Sequence, residues 1–516
     1  MALPPRIFLS SKDVRMSQFT PSQLAQVALS LRERTAASSP LKRIPLAERE
    51  GYQLVSRRQV LRFGAAGILG WSLPELLAAQ SVAVSSARAK AKNVLVVLEQ
   101  GGLSQMDTWD PKPDVVAEHR SPFKPVATSV PGIRFTELLA KTGRVADKLA
   151  VVRSMRHPKS GANGHPDGTQ YMLSGNHPGS AIEMPDIGSV AAHVLGTRCK
   201  YLPPYIMVPG NHEQAAATRT GFLPASTKVF KTNGRDLSAK DWKVGALEPR
   251  PDTPEARLAD RQQLLASLND QYASRNGKGM GFGGMERFYD QAFDTLTSPK
   301  VAAAFDYQRE PIALREKYGI GHRGACYLVG RKLIEAGVRF VTVDTRWPLT
   351  KDTPGGFNLN WDHHDLMYAN GSCGTVRDKA GGEGRYGIGT WPMMGSTDQA
   401  FAALIEDLHD RGLLAETLVC FITEFGRTPK LNKFQGRDHW TNAYSIAFAG
   451  AGVRGGQIIG ATDKEAGQVA NEPHTPEEYA ATIYEKLGID RTKPLYTASN
   501  RPVFVNHDVD PIEALF

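Results

Sequence analysis

The sequence predicts an α/β fold: a mostly parallel central sheet covered by helices on both faces, a three-layer sandwich. Three observations predict it. Short apolar runs rich in β-branched residues alternate with helix-periodic stretches from residue 93 to the C-terminus. Histidines and carboxylates gather just beyond the carboxyl ends of those runs, where open α/β sheets build their sites. Away from the N-terminus no apolar run approaches the roughly 18 residues of a membrane span, which excludes a multi-span protein.

The elements follow in chain order. Asn93–Leu98 is the first strand and stops at the turn Gly101-Gly102. Leu149–Met155, Tyr205–Val208, Val338–Thr345, Leu418–Glu424 and Ser445–Ala449 have the length and branching of buried strands. Between them lie the helical patterns Arg134–Ala146, Ile187–Leu195, Pro254–Gln271, Met285–Leu296, Gly324–Ala336, Asp398–Arg411 and Pro476–Leu487. The Gly-rich segment Gly371–Gly389 reads as a mobile surface loop.

The net charge of +9 is confined to one end. Residues 1–92 hold 14 Lys and Arg against 5 Asp and Glu; of the 62 basic and 53 acidic residues, 48 of each remain for 93–516. The body is neutral, so global charge gives no support to a nucleic-acid partner. The four cysteines form no CxxC pair, which removes zinc-ribbon and thioredoxin readings.

The basic end divides the chain into a poorly ordered leader over 1–92 and an α/β domain over 93–516. Within the leader, residues 56–80 place Arg57-Arg58 before an uncharged, Gly- and Ala-rich stretch, with Ala87-Arg88-Ala89 beyond. This resembles a twin-arginine export signal and implies the twin-arginine machinery as a partner and a periplasmic or exported location. The alternative is an ordinary amphipathic helix starting at Ser56.

Five segments carry groups able to do chemistry. Glu99 to Pro111 follows the first strand, and Glu99 or Asp107 offers a carboxylate to a metal. In His157–Gly175, His165 and Asp167 stand before a helical turn at Gln170–Leu173; His165 suits a nucleophile, an acid–base or a ligand. Asp167 is equally readable as a helix N-cap. Trp361-Asp362-His363-His364-Asp365 packs imidazoles and carboxylates into five positions, a donor set that suits zinc or a similar transition metal and not calcium alone. Glu424 ends the apolar run LVCFIT, and Arg427 follows as a clamp for an anion or as a structural partner of an acid. Asp438 and His439 add two further ligand-type groups.

The strings QGGLSQMDTWDPKP, HPDGTQYMLSG, WDHHD, EFGRTPKLN, GRDHWTNAYSIAFAGAGVRGGQIIGATDKEA and TPEEYAATIYEKLGID occur in that order. Together they resemble the exported bacterial family called domain of unknown function 1501, over about residues 50–516. That family is similar to the alkaline phosphatase and sulfatase superfamily, so the resemblance implies an alkaline phosphatase-like sandwich. The superfamily sets a metal carboxylate immediately before a glycine of the first turn; Gln100 stands there, so Glu99 or Asp107 would replace it. The superfamily nucleophile lies about ten residues before the glycine of a turn matched by Met172-Leu173-Ser174-Gly175, and that position holds His165. Asp362 with His364, Glu424 and His439 match the ligand positions.

The resemblance thus implies an exported, metal-dependent hydrolase of phosphate or sulfate esters. One or two divalent ions, zinc or manganese, would sit among Asp107, Asp362, His364, Glu424, Asp438 and His439. His165, Asp167 and Arg427 would act on an anionic ester, or on a sulfated or phosphorylated glycan. The second reading is a non-catalytic exported protein on the same fold, binding such a glycan or joining a complex.

Overall fold

The computed structural model describes residues 88–210, 217–232, 236–247, 260, 263–264, 267–268, 271, 293–346, 357–369, 372–373 and 384–516. The expected twin-arginine segment, and the leader as far as residue 87, lie outside them. So do most of the expected helices Pro254–Gln271 and Met285–Leu296 and most of Gly371–Gly389.

The strand Asn93–Leu98 (β1) has all six residues buried, as its unbroken apolar sequence requires. It lies inside an eight-stranded sheet with Leu149–Met155 (β2), Tyr205–Val208 (β3), Phe230–Lys231 (β4), Phe340–Asp344 (β5), Thr417–Ile422 (β6), Tyr444–Ala449 (β7) and Gln457–Ile459 (β8). The order is β8-β2-β7-β6-β1-β5-β3-β4. β1 runs parallel to β6 and β5, in the register Leu98 opposite Ile422 and Asp344. β7 is antiparallel to both β6 and β2, so it alone is reversed among these eight. The chain therefore enters β7 at the edge where the other strands end.

Side chains of β1 alternate between two helical layers. Leu95 and Val97 join a core with the helices His322–Glu335 (α3) and Ser396–Asp410 (α4). Val94, Val96 and Leu98 join a second core with His165–Ser174 (α1), Ile187–Leu195 (α2) and Pro476–Leu487 (α5). This is the α/β sandwich that the alternating pattern predicts. Each fully buried Val or Leu contributes about 1.5–3 kcal/mol of transfer free energy, so both layers are held firmly to the sheet.

α5 shows how local chemistry fixes an end. Thr475 accepts from the Glu478 N–H while Glu478 caps the Thr475 N–H, and Pro476 opens the first turn. The expected helix Arg134–Ala146 does not form. Arg134–Thr136 pairs instead as a short strand with Pro125–Ala127, and 3-10 turns follow at Glu137–Leu139 and Thr142–Lys148. Asp398 of α4 accepts from the backbone N–H groups of Lys141 and Thr142, holding a break where a helix would run through. Among the described residues no helix is long and apolar enough to cross a membrane.

Candidate metal centre

The carboxyl edge of the sheet brings four segments together. Beyond β1 the chain turns at Gly101, whose φ of +109° favours glycine. A Cβ there would lie 2.3 Å from the backbone nitrogen of Trp361, because the Trp361 N–H donates to the Gln100 carbonyl at 2.9 Å. Trp361–His364 therefore crosses the end of β1 at backbone contact, and its side chains divide. Trp361 donates to Glu99 at 2.8 Å and His363 bonds the Tyr386 carbonyl at 2.8 Å, while Asp362 and His364 meet the other segments. His165 is the first residue of α1. Glu424 stands two residues beyond β6, and His439 precedes the reversed strand β7, which places it at the same edge.

Asp362 Oδ1 is the meeting point. It lies 3.1 Å from His165 Nε2, 2.8 Å from His364 Nε2 and 3.0 Å from His439 Nε2. The Arg427 guanidinium reaches the same oxygen at 2.7 Å. The contact with His165 is close but off the hydrogen-bond direction, so its Nε2 is buried without a well-aligned partner. The two remaining imidazoles touch as well, His364 Nε2 to His439 Nε2 at 3.0 Å. Ligand-type atoms of His165, Asp362 and His439 all fall within 4.8 Å of one another.

The opposite ring nitrogens decide the protonation pattern. His165 Nδ1 is 2.6 Å from Glu424 Oε1, His364 Nδ1 is 2.7 Å from Asp438 Oδ1, and His439 Nδ1 is 2.6 Å from the Asn163 carbonyl. A carbonyl or an ionised carboxylate only accepts, so each Nδ1 carries its hydrogen. The Nε2 atoms of all three rings face one anionic oxygen, Asp362 Oδ1, and those of His364 and His439 also face each other. That oxygen is served by Arg427 and by hydrogens on Nε2, or by a cation that the Nε2 lone pairs of neutral rings would hold. Acceptors behind ring N–H groups are the usual outer partners of metal-binding histidines. Tetrahedral zinc ligands at ~2.0–2.2 Å stand about 3.4 Å apart, close to the spacing here. The donor set of imidazole nitrogens and one carboxylate fits zinc or manganese.

The electrostatics fit a site that favours positive charge. Burial alone would raise the Asp362 carboxyl, but Arg427 and the three histidines hold it well below the usual range. Burial would likewise raise Glu424, yet His165 and the Gly101 N–H pull it down. His165 is raised: burial opposes its charge, and its bonds to Asp362 and Glu424 outweigh that. His439 is lowered by burial, with Arg427 and His165 repelling a second charge. Phe425, itself buried, stacks on His439 at 4.6 Å and on His165 at 5.2 Å between centroids and forms an apolar wall.

The other expected site residues take different places. Glu424 and Asp438 stand behind His165 and His364 as orienting carboxylates, with oxygens committed to those rings, to Gly101 and Thr423, and to Asn432. Asp107 is taken up elsewhere: Ser104 and Tyr368 donate to it at 2.5 and 2.9 Å, and Arg437 lies 3.3 Å away. Glu99 is likewise saturated, by Arg323, Tyr327, Thr345 and Trp361. Arg427 is buried and spends its donors on the carbonyls of Gly101, Gly102 and Arg437 and on Asp362, so it braces the turn and the carboxylate. Asp167 is exposed in the first turn of α1, and among the described residues no bond joins it to the cluster. Nor does it cap the helix, since Gly164 is the N-cap. Sequence reasoning missed Asn163, which acts through its backbone, and Phe425, whose ring gave no chemical signal.

Residues 91–516 match the family described as "Protein of unknown function (DUF1501)". No curated protein matches the sequence. The chain is similar to the lipoteichoic acid synthase LtaP from Listeria monocytogenes, at 10% identity and a TM-score of 0.32 over 78% of this chain and 73% of that one. It is similar to the PsFucS1 sulfatase from Pseudoalteromonas sp., at 12% identity and a TM-score of 0.32 over 82% and 78%. It is also similar to the phosphonate monoester hydrolase SpPMH from Silicibacter pomeroyi, at 11% identity and a TM-score of 0.33 over 77% and 73%.

Proposed function

The chain belongs to the DUF1501 family, and from that premise we propose that it is an exported, metal-dependent hydrolase of phosphate or sulfate esters. The observation that carries the reading is the convergence of His165, His364 and His439 through Nε2 on Asp362 Oδ1, each ring held from behind by an acceptor. These four residues would hold one divalent ion, zinc or manganese. When bound, the ion supplies Lewis acidity toward an ester or water oxygen.

The residues of the chain do the rest. Glu424, Asp438 and the Asn163 carbonyl keep the rings in one tautomer. Phe425 keeps water off one side. The side chains of His165, Asp362, His364 and His439 are 11–21% exposed, so the cluster remains open to solvent. His165 Nδ1 is bonded to Glu424, and Nε2 faces Asp362, so no covalent step is assigned to it. Water is the nucleophile this arrangement accommodates. The anionic group of the substrate, whether a simple ester or a sulfated or phosphorylated glycan, is drawn by the positive centre. Export rests on Arg57-Arg58 and the uncharged segment after them.

The test is metal analysis of the full chain together with hydrolysis of an aryl phosphate and an aryl sulfate. Metal near one equivalent, and hydrolysis lost on chelation and restored by zinc or manganese, are expected. Protein that holds no metal and hydrolyses neither ester would sink the reading. The bond of His165 Nδ1 to Glu424, with Nε2 turned to Asp362, favours one second reading, a metal-bearing protein that binds the anionic glycan without cleaving it. Bound metal and glycan binding without turnover would establish that one.

A further inference from the structure

His157 lies two residues beyond β2 and is 7% exposed. Its backbone N–H donates to the Thr441 carbonyl at 2.8 Å. Its ring packs against Tyr171 of α1 at 5.0 Å and against Tyr444 of β7 at 5.5 Å between centroids. The backbone carbonyls of Glu424 and Ala162 lie beside the ring, yet Nδ1 and Nε2 are both buried without a well-aligned hydrogen bond among the described residues. Burial pulls the ring down to about 4, against those two carbonyls, so it is neutral and carries one N–H. Between two tyrosines a phenyl ring would pack as well and leave no nitrogen unmatched. A buried polar group left unmatched costs about 1–3 kcal/mol, so packing alone does not account for an imidazole here.

What His157 touches is the support of the metal centre. α1 opens with His165. Glu424 holds His165 Nδ1 from behind at 2.6 Å. Ala162 precedes Asn163, whose carbonyl holds His439 Nδ1 at 2.6 Å. Thr441 follows His439 by two residues. These segments are in tight contact: a Cβ on Gly168 of α1 would lie 3.2 Å from the Ala162 carbonyl oxygen and 3.0 Å from the Phe425 ring. One side chain, itself not a ligand, thus reaches the segments that aim two of the three imidazoles.

We infer that His157 is a positioning residue of this centre: its ring N–H serves the carbonyl of Glu424 or of Ala162 and its backbone N–H holds Thr441, so that the acceptors behind His165 and His439 are set together. This rests on the metal-centre reading and adds to it a residue that binds neither ion nor substrate. A single ring N–H meets one carbonyl at a time, so the two supports are coupled through the imidazole.

The experiment compares the full chain with His157→Phe, which keeps a ring between the tyrosines and removes the N–H. His157→Asn and His157→Gln put an amide N–H near the places of Nδ1 and Nε2. Zinc affinity is measured by competition with a chromophoric chelator, the melting temperature on metal-free protein, and the ligand geometry from the visible spectrum after cobalt loading. His157→Phe is expected to weaken zinc binding about tenfold, the lower end of what outer partners give, and to shift the cobalt spectrum, with the metal-free melting temperature little changed. One of the two amide variants is expected to recover most of the affinity. Wild-type zinc affinity and cobalt spectrum in His157→Phe overturn the inference. So does a loss of affinity that only tracks the melting temperature across the three variants, since that is a purely structural role. Wild type that binds no zinc instead counts against the metal centre. In that protein the Nδ1–H proton resonances of His165 and His439 decide the inference: both are expected to move in His157→Phe, and unmoved signals overturn it.

Discussion

His364 Nε2 and His439 Nε2 lie 3.0 Å apart although 75 residues separate them, and each ring presents its N–H away from the other. At that distance the pair is joined by a hydrogen on one Nε2 or by a cation between two lone pairs. The outer acceptors therefore matter as much as the inner ligands. Replacing Asp438 by Asn, or Glu424 by Gln, swaps an anionic acceptor for a neutral amide behind a ligand ring. Zinc affinity, measured by competition with a chromophoric chelator, is expected to fall about 10–100-fold in each. Asp438→Asn, at a half-exposed side chain, is expected to do so with little change in melting temperature. Unchanged zinc affinity in both variants would remove the outer-partner role.

The backbone crossing at the end of β1 gives a second prediction. Gly101→Ala combines a φ of +109° with a Cβ 2.3 Å from Trp361 N. Gly132 has a φ of +83° and nothing within 4 Å of a Cβ. Gly132→Ala is expected to cost about 1 kcal/mol, the strain alone. Gly101→Ala is expected to cost several times that, because the Trp361–Asp362 backbone must move, and to lower metal content with it. Denaturant melts of the two variants side by side check this, and equal costs would mean that the Trp361 segment yields freely.

Much of this site is legible in the chain before folding. Asp362, His364 and His439 stand out because histidines and carboxylates sit just beyond apolar runs, and strand ends share one edge. What spacing does not carry is rank. Glu424 and Asp438 lie behind the rings instead of among them, since the ring flip that decides this depends on which acceptor faces Nδ1. His439 is at the edge only because β7 is reversed, and the run Ser445–Ala449 reads the same in either direction. Asp107 and Glu99 are drawn off by Arg437 and Arg323, 330 and 224 residues away in the chain. Arg134–Ala146 has a helical pattern that tertiary contacts override: strand pairing takes its first residues and Asp398 pins the turn after them.

Export is tested in the leader. Arg57-Arg58 precede an uncharged, weakly apolar stretch, and the twin-arginine route reads that pair. Replacing both by Lys preserves charge and is expected to retain the protein in the cytoplasm, followed by fractionation and immunoblotting. Undiminished export of the Lys-Lys variant would argue for the general secretion route or for no signal of this type.

A last prediction concerns stability away from the metal centre. Asp186 precedes α2, is buried, and accepts from the Arg219 N–H at 3.1 Å, while Oδ2 has no hydrogen-bond partner among the described residues. Burial pushes its carboxyl up to about 8; the Arg219 N–H and the charges of Lys231 and Arg219 oppose this, and Glu183 adds to it. In the unfolded chain the group titrates near ~3.9. The folded value is raised, so this contribution to stability is whole below about pH 4 and is lost as the pH rises through about 8. Between those limits the slope reaches up to about 1.4 kcal/mol per pH unit. Asp186→Asn removes the titration. It is expected to leave stability near pH 4 little changed and to raise it progressively toward pH 8, after which the gap from wild type stays constant. Denaturant midpoints measured at pH 5, 6, 7, 8 and 9 give the curve directly. Parallel curves for the two proteins across that range would mean that the Asp186 carboxyl is ionised in the native state and that a partner for Oδ2 holds it so.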